Sequence, residues 1–300
     1  MTLENTDAPR KWRGFLTSIP AFPGRLRAVD SAASVARFLW GKEREVELWK
    51  AAPFRVNLED RIQRQMWLGC YESHVHRVLS ALLGAGSVFL DVGANIGYHA
   101  YFAAGLVGPS GVVRAFEPDP DIHAVLTRNL ASFKWARAEN VAVWDSVGSL
   151  EFERSFLPSE SGWGALTAVR NLNKGQRISV RTISLDSWGS AAGLSSLDVI
   201  KLDAEGAEPR ILAGARSILS EFHPMLLLEV SAPLLIQGGA SPCALIGELS
   251  SLSYDTFILE DTRISRYTDI PAYHTVDCIC VERKRASSFL QELSRQGFQV

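Results

Sequence analysis

An α/β fold is predicted for this chain: a mostly parallel sheet with helices on both faces, preceded by a small N-terminal helical extension. Three observations predict it. Short apolar strands alternate with helical stretches from about residue 55 onward, the pattern of a parallel sheet wound with helices. The strand Ser87 to Val92 carries an acid at Asp91 and runs into a glycine-rich turn, Gly93 to Gly97, that opens a helix. Further on, Val112 to Phe116 is a second apolar strand closed by Glu117. A strand, a Gly turn, a helix and a second strand with a terminal acid make one half of a nucleotide-binding sheet.

The elements follow in order. Residues 1–29 carry prolines, glycines and scattered charges without a period and read as a loosely packed arm. From Asp30 to Lys50, Val35, Phe38, Leu39, Val46 and Trp49 fall near helical spacing, an amphipathic helix with a break at Gly41. Residues 1–54 are therefore an arm and helical extension, and residues 55–300 the α/β domain. A helix from Glu72 to Leu83 precedes the first strand. Asp119 and Pro120 start the helix after the second strand as N-cap and first-turn proline, with Ile122, Val125, Leu126 and Leu130 facing inward. The third strand is placed at Asn140 to Trp144. Two extended stretches, Ser149 to Glu153 and Arg177 to Ile183, flank a Gly/Ser/Asn-rich loop from Pro158 to Gly175. Leu197 to Leu202 is the fourth strand, and Pro209 opens a helix whose Ile211, Ala215, Ile218 and Phe222 share a face. Met225 to Val230 is the fifth strand and Pro242 starts another helix. Thr256 to Leu259 and Val276 to Val281 are the last two strands.

Composition narrows the partners. The chain has 31 basic and 33 acidic residues, a net charge of −2. That argues against nucleic acid held by electrostatics, since such domains carry a marked basic excess. The N-terminus holds Glu4 and Asp7 and lacks the apolar core of a secretion signal. The most apolar stretch, Met225 to Ile236, is interrupted by Glu229 and Pro233 and falls short of the roughly 20 residues of a membrane span. Of the four cysteines, Cys278 and Cys280 share one side of an apolar strand without a second Cys/His pair to complete a zinc site, so they read as buried core thiols. A reducing cytoplasm is the simplest setting.

The glycine spacing selects the ligand. A dinucleotide site needs G-x-G-x-x-G, whose middle glycine lets the backbone press on a pyrophosphate. Here Asp91-x-Gly93-Ala94-Asn95-x-Gly97 is wider and lacks it, which suits an adenosine without phosphates, as in S-adenosylmethionine. In an open parallel sheet ligands sit at the carboxyl ends of the strands, and four acids stand there: Asp91, Glu117, Asp203 and Glu229. Glu117, followed by Pro118, accepts hydrogen bonds from ribose hydroxyls in this reading. Gly93 and Gly97 permit close approach of the methionine end and the ribose, and Ala94 and Asn95 line the same turn. Asp91 either orients the turn or reaches the ligand's amino group. Asp203, Glu205 and Glu229 are candidates for a base or for metal ligation, against a plainer role in bonding amides at the next helix N-terminus. His99, on the helix after the turn, is a general base or a structural residue. Trp163, between glycines, is an acceptor-pocket wall or a core plug. His74 and His76, without partners at metal spacing, read as helix-surface residues.

Asp91-x-Gly-Ala-Asn-x-Gly97 followed by Phe116-Glu-Pro118 resembles the class I S-adenosylmethionine-dependent methyltransferases. Ile200-Lys-Leu-Asp-Ala-Glu-Gly-Ala-Glu208 resembles the signature of the FkbM-type family within them. Cys70-Tyr-Glu72, Asn140-Val-Ala-Val143, Leu185-Asp186 and Leu228-Glu229 match in the family's order, so the likeness covers roughly residues 55 to 230. Ala204 stands where the family often has valine. The resemblance implies a Rossmann-like sheet of seven strands with an antiparallel edge pair, and methyl transfer to a hydroxyl of a small molecule or sugar. It also implies an adenine beside Val141-Ala142-Val143 and a Glu72 that faces the ligand. A Mg²⁺ at Asp203 and Glu229 would follow the catechol-type relatives of the class. The N-terminal extension packs on the sheet by default; capping the pocket or holding a second subunit of a homo-oligomer are its alternatives. Two rival readings keep the same sheet: a non-catalytic S-adenosylmethionine-binding module, and a nicotinamide-dependent oxidoreductase.

Overall fold

The computed structural model describes residues 35, 37–39, 41–49, 52–155, 164–170 and 175–300. The arm over residues 1–29, Trp163, and residues 158–163 and 171–174 of the long loop lie outside them. The described residues fall into two compact units, one up to Ser73 and one from His74 onward.

In the first unit, β1 (Glu43–Glu47) and β2 (Pro53–Asn57) form an antiparallel hairpin in which Val46 lies opposite Phe54. The amphipathic helix expected from Asp30 to Lys50 therefore does not hold over this stretch. Glu43, Glu45 and Glu47 are exposed while Val46 is buried, a period of two that the wider helical spacing concealed. The helix α1 (Arg61–Leu68) starts at Asp60, whose carboxylate accepts from Ile62 N at 2.8 Å and Gln63 N at 2.9 Å. It stops at Gly69, which takes the left-handed conformation at φ 71.

The second unit opens with α2 (Ser73–Leu82), β3 (Val88–Val92), α3 (Tyr98–Val107), β4 (Val112–Phe116), α4 (Pro120–Leu130) and β5 (Ala136–Glu139). A side sheet follows, made of β6 (Ala142–Val143), β7 (Gly148–Ser155), β8 (Ala165–Leu166) and β9 (Gly175–Ile183) in the order β6-β9-β7-β8. Then come α5 (Leu185–Ala192), β10 (Val199–Leu202), α6 (Glu208–Ala213), α7 (Arg216–Phe222), β11 (Met225–Ser231), α8 (Ala232–Gln237) and α9 (Pro242–Ser251). The chain ends with β12 (Tyr254–Glu260), β13 (Arg263–Arg266), β14 (Thr275–Glu282) and α10 (Ala286–Arg295).

The main sheet has eight strands in the order β13-β12-β14-β11-β10-β3-β4-β5, not seven. Strands β11, β10, β3, β4 and β5 run parallel, while β14 is antiparallel to both β11 and β12. The additional strand is β13, which pairs antiparallel with β12. Ile264 is its one buried residue, so its sequence lacks an apolar run. The third strand of the parallel set is Ala136–Glu139 rather than Asn140 to Trp144. As an edge strand, β5 needs little apolar content, and Val141 to Trp144 instead leads into the side sheet, where Ala142 pairs with Thr182. The helix expected after Pro209 is two helices. They meet at Gly214, where a Cβ would lie 2.4 Å from Trp144 O, so the chain passes close to the residue after β6.

Every residue of β3 and of β10 is buried, as in a sheet covered on both faces. Strand order reverses at β3, which has β4 on one side and β10 on the other. Such a reversal opens a crevice at the carboxyl ends of those strands. Among the described residues no helix is long and apolar enough to cross a membrane. Cys278 and Cys280 are fully buried on β14, and burial pushes the Cys280 thiol up to about 12.

Candidate active site at the switch point

The turn after β3 is held by the end of β4. Gly93 N and Ala94 N both donate to Phe116 O, at 3.1 and 3.0 Å. Gly93, Asn95 and Gly97 all have positive φ, at 79, 50 and 88, and Asn95 caps its own turn by accepting from Ile96 N at 2.7 Å. The two glycines serve different neighbours. A Cβ on Gly93 would stand 1.8 Å from Asp203 O, so this glycine lets the turn pass directly under the end of β10. A Cβ on Gly97 would stand 2.4 Å from Leu126 Cδ1. Gly97 thus lets the turn pack closely against α4.

Glu117 is buried at 7% exposure and braces the turn. Its Oε2 accepts from Asn95 N at 3.0 Å and its Oε1 from Asp119 N at 2.9 Å. Burial pushes its carboxyl up to about 8 despite those two bonds. Asn140 Nδ2 donates to the carbonyls of Glu117 and Pro118, both at 3.0 Å, and fixes the strand exit. Arg154 reaches from β7 to Asp119 Oδ1 at 2.8 Å and Asp121 Oδ2 at 2.7 Å, clamping the N-terminus of α4. Asp91 is fully buried, and the Ala100 backbone amide acts on its carboxylate as a hydrogen-bond donor. Burial raises its pKa, with Lys201 and His99 acting in the opposite direction.

The loop after β10 carries the second group of acids. Asp203 pairs with Lys201 Nζ at 2.9 Å, and the lysine is itself buried. Glu205, at φ 55, pairs with Arg170 at 3.3 Å; burial and Asp203 hold its carboxyl up at about 7. The plainer role foreseen for Asp203 or Glu205 falls to Glu208. Its Oε1 accepts from Ala204 N at 2.9 Å and Gly206 N at 3.3 Å, and burial pushes it up to about 7. Replacing Glu208 by Ala leaves both amides unpaired beneath the loop and is expected to cost about 2–3 kcal/mol. Urea unfolding at constant m-value reads this; a loss below about 0.5 kcal/mol would show that the loop does not depend on it. Glu229 is held up at about 10, first by Asp203, then by burial and Asp277.

Several expectations change place. His99 is buried in a ring cluster, 5.0 Å from His76 and 5.7 Å from Tyr98. His76 is not on the helix surface; it stacks on Phe102 at 4.2 Å and is buried. Nor is His74 a plain surface residue, since its Nε2 lies 2.6 Å from Asp277 Oδ2. Glu72 lies in the first unit, at φ 40 in the turn ahead of α2. Ala142 is buried in the side sheet. The Mg²⁺ expectation finds no support. Among the described residues no three His, Cys, Asp or Glu are grouped to hold a metal ion. Asp203 is taken up by Lys201, which leaves Asp203 and Glu229 short of the oxygen ligands a divalent cation needs. Lys201, Asp277, Arg154 and the role of Glu208 were missed. A lysine inside Val199-Ile-Lys-Leu202 was the available signal, because an unpaired lysine is rarely buried.

The family described as Methyltransferase FkbM domain matches residues 91–259. The chain is 33% identical over 179 residues to 2-O-methyltransferase NoeI of Sinorhizobium fredii, covering 53% of this chain and 73% of that protein. It is 28% identical over 188 residues to 31-O-demethyl-FK506 methyltransferase FkbM of Streptomyces tacrolimicus, covering 51% and 70%. It is 27% identical over 198 residues to hexuronic acid methyltransferase AglP of Haloferax volcanii, covering 66% and 74%.

Proposed function

The chain belongs to the FkbM methyltransferase family and is an S-adenosylmethionine-dependent methyltransferase, and from that premise we propose that it methylates a hydroxyl oxygen of a sugar or other small hydroxylated molecule. The single observation that carries the cofactor's place is the pair Asp91 and Glu117 in the crevice beside β3. Asp91 is a fully buried carboxylate with no side-chain hydrogen bond among the described residues. Glu117 uses each oxygen for one backbone amide, which leaves lone pairs for a ribose diol. Both suit an adenosyl amino acid, with Asp91 toward its ammonium group. The Gly93 turn does not suit a pyrophosphate, since its closest approach is spent on Asp203 O. Oxygen as acceptor is supported by the relatives whose names specify O-methylation, and a sugar by the relative that acts on hexuronic acid.

When bound, S-adenosylmethionine supplies a methyl group on a sulfonium, open to displacement by an aligned nucleophile. The residues at the rim do the rest. A hydroxyl loses its proton as its oxygen bonds the methyl carbon, and a carboxylate within reach takes that proton. Asp203 and Glu229 are the acids for this step, with Lys201 fixing Asp203. Glu205 is oriented by Arg170 and belongs to the acceptor side of the loop. His99 is assigned to the wall of the crevice rather than to the base.

Calorimetric titration with S-adenosylhomocysteine and, separately, NAD⁺ tests the reading. Saturable heat from S-adenosylhomocysteine and none from NAD⁺ is expected. Radiolabelled methyl transfer to a panel of sugars and hexuronic acids then separates an enzyme from a binding module. NAD⁺ binding in place of S-adenosylhomocysteine would remove the cofactor assignment altogether.

A further inference from the structure

One face of the main sheet carries an unusual row of ionisable groups. Lys201 is in register with Asp91 on β3 and with Leu227 on β11. In-register neighbours, and residues two apart on one strand, point to the same side of a sheet. Glu229, two residues beyond Leu227, is in register with Asp277 on β14. Lys201, Glu229 and Asp277 accordingly line one small cavity, together with Val75, Leu227 and Cys278. Asp203 continues the row past Lys201, and His74 on α2 closes it at Asp277. Four carboxylates thus share one lysine and one imidazole, with Glu205 and its Arg170 at the loop end. Such a row does not hold all its negative charges at once, because like charges this close favour protonation of one member.

We propose that Glu229, set between Asp203 and Asp277 on this face, holds a proton that the protein gives up when the cationic cofactor binds, so that cofactor binding readies a carboxylate for the acceptor's hydroxyl. The inference rests on the cofactor reading above. In the free protein the Glu229 carboxyl is pushed well above the usual carboxylate range, first by the negative charge on Asp203, then by burial and Asp277. Near a cationic cofactor held at this rim, Glu229 would no longer need its proton to offset the charge on Asp203 and Asp277. The outlet is the His74–Asp277 pair, whose side chains are 24% and 29% exposed.

The cycle closes in charge and atoms. On binding, one proton leaves Glu229 for solvent. In transfer, the acceptor oxygen bonds the methyl carbon, the sulfur–methyl bond breaks and sulfur keeps its electron pair. The hydroxyl proton goes to Glu229. The sulfonium charge disappears as the proton returns, so the row carries the same charge before and after the reaction.

The test is calorimetry of S-adenosylmethionine binding in buffers of different ionisation enthalpy near pH 8, which counts protons released. Glu117 and the cofactor's own amine contribute alike to wild type and to Glu229→Gln, so the difference between the two isolates Glu229. Wild type is expected to release about one proton more than the variant, and its affinity to tighten with pH by up to about tenfold per unit more steeply. Asp277→Asn, which removes one of the charges holding the proton, is expected to release an intermediate number. S-adenosylhomocysteine, lacking the sulfonium, is expected to release fewer protons than S-adenosylmethionine. Equal counts in wild type and Glu229→Gln, an Asp277→Asn count no lower than wild type, or equal counts for the two ligands would overturn the proposal. No binding of either ligand to wild type would instead strike the cofactor reading beneath it.

Discussion

Gly93→Ala is expected to unfold the second unit or leave it without cofactor affinity. The Cβ it adds would sit 1.8 Å from Asp203 O and 2.8 Å from Asp203 C. Both are backbone atoms, so no rotamer change relieves the overlap. Relief requires parting the Gly turn from the end of β10, and Asp203 N is bonded there to Val92 O at 3.1 Å. The left-handed backbone at φ 79 adds about 1–2 kcal/mol for any residue with a Cβ. The sum is on the order of 4 kcal/mol or more, among the largest effects of single substitutions. It corresponds to a fall in melting temperature of roughly 8–16 °C for a unit of this size.

Two neighbouring glycines make the comparison internal. Gly97→Ala incurs the same left-handed penalty at φ 88, but its Cβ overlaps Leu126 Cδ1, the end of a flexible side chain rather than backbone, so it should lose less than Gly93→Ala. Gly105, inside α3, has open space where its Cβ would stand, so Gly105→Ala should gain about 0.5–1 kcal/mol from helix propensity. Thermal unfolding of the three variants gives the order directly. A Gly93→Ala protein as stable as Gly97→Ala, with full S-adenosylhomocysteine affinity, would show that the approach to Asp203 is loose.

That contrast also marks what was legible in the chain. The strand-turn-helix at Val88 to Tyr98, the acid at Glu117 and the N-cap at Asp119 were readable because each is a local rule acting within a few residues. The division of labour between Gly93 and Gly97 was not, since it depends on β10 and α4, which are distant in sequence. The same limit hid the His74–Asp277 pair, 203 residues apart. It also hid β5, because Ala136-Arg-Ala-Glu139 carries no apolar run and only its edge position makes it a strand. In the first unit, apolar residues at near-helical spacing outweighed the alternation of three glutamates. The candidate acids were read from residue type at strand exits, and Asp91, Glu117, Asp203 and Glu229 lie at or near the ends of β3, β4, β10 and β11. That reading did not find Lys201, which lies inside the strand where composition favours core.

Glu117→Gln and Glu117→Ala are both expected to weaken S-adenosylhomocysteine binding by about 100-fold or more, equivalent to about 3 kcal/mol. Two charge-assisted hydrogen bonds to a ribose diol account for that size. Glutamine is a poor substitute for a further reason. Both oxygens of Glu117 accept backbone N–H groups, Asn95 on one and Asp119 on the other. An amide has one oxygen, so its NH₂ must face one of those donors. The pH dependence carries the sign. The Glu117 carboxyl rises from 4.5 to about 8 on folding because it is buried. Between those values the native state holds more protons than the unfolded chain. Its contribution to stability is therefore complete below about 4.5 and falls away as pH rises through about 8. Glu205 and Glu208, each held up at about 7, act in the same direction. The cofactor-free protein should lose stability from pH 5 toward pH 8, and Glu117→Gln should flatten part of that slope. Ribose donors favour the ionised carboxylate, so S-adenosylhomocysteine affinity should rise with pH over the same interval in wild type and rise less in Glu117→Gln. Identical pH slopes for the two proteins would place the ribose elsewhere in the crevice, leaving Glu117 as a brace for the Gly93 turn alone.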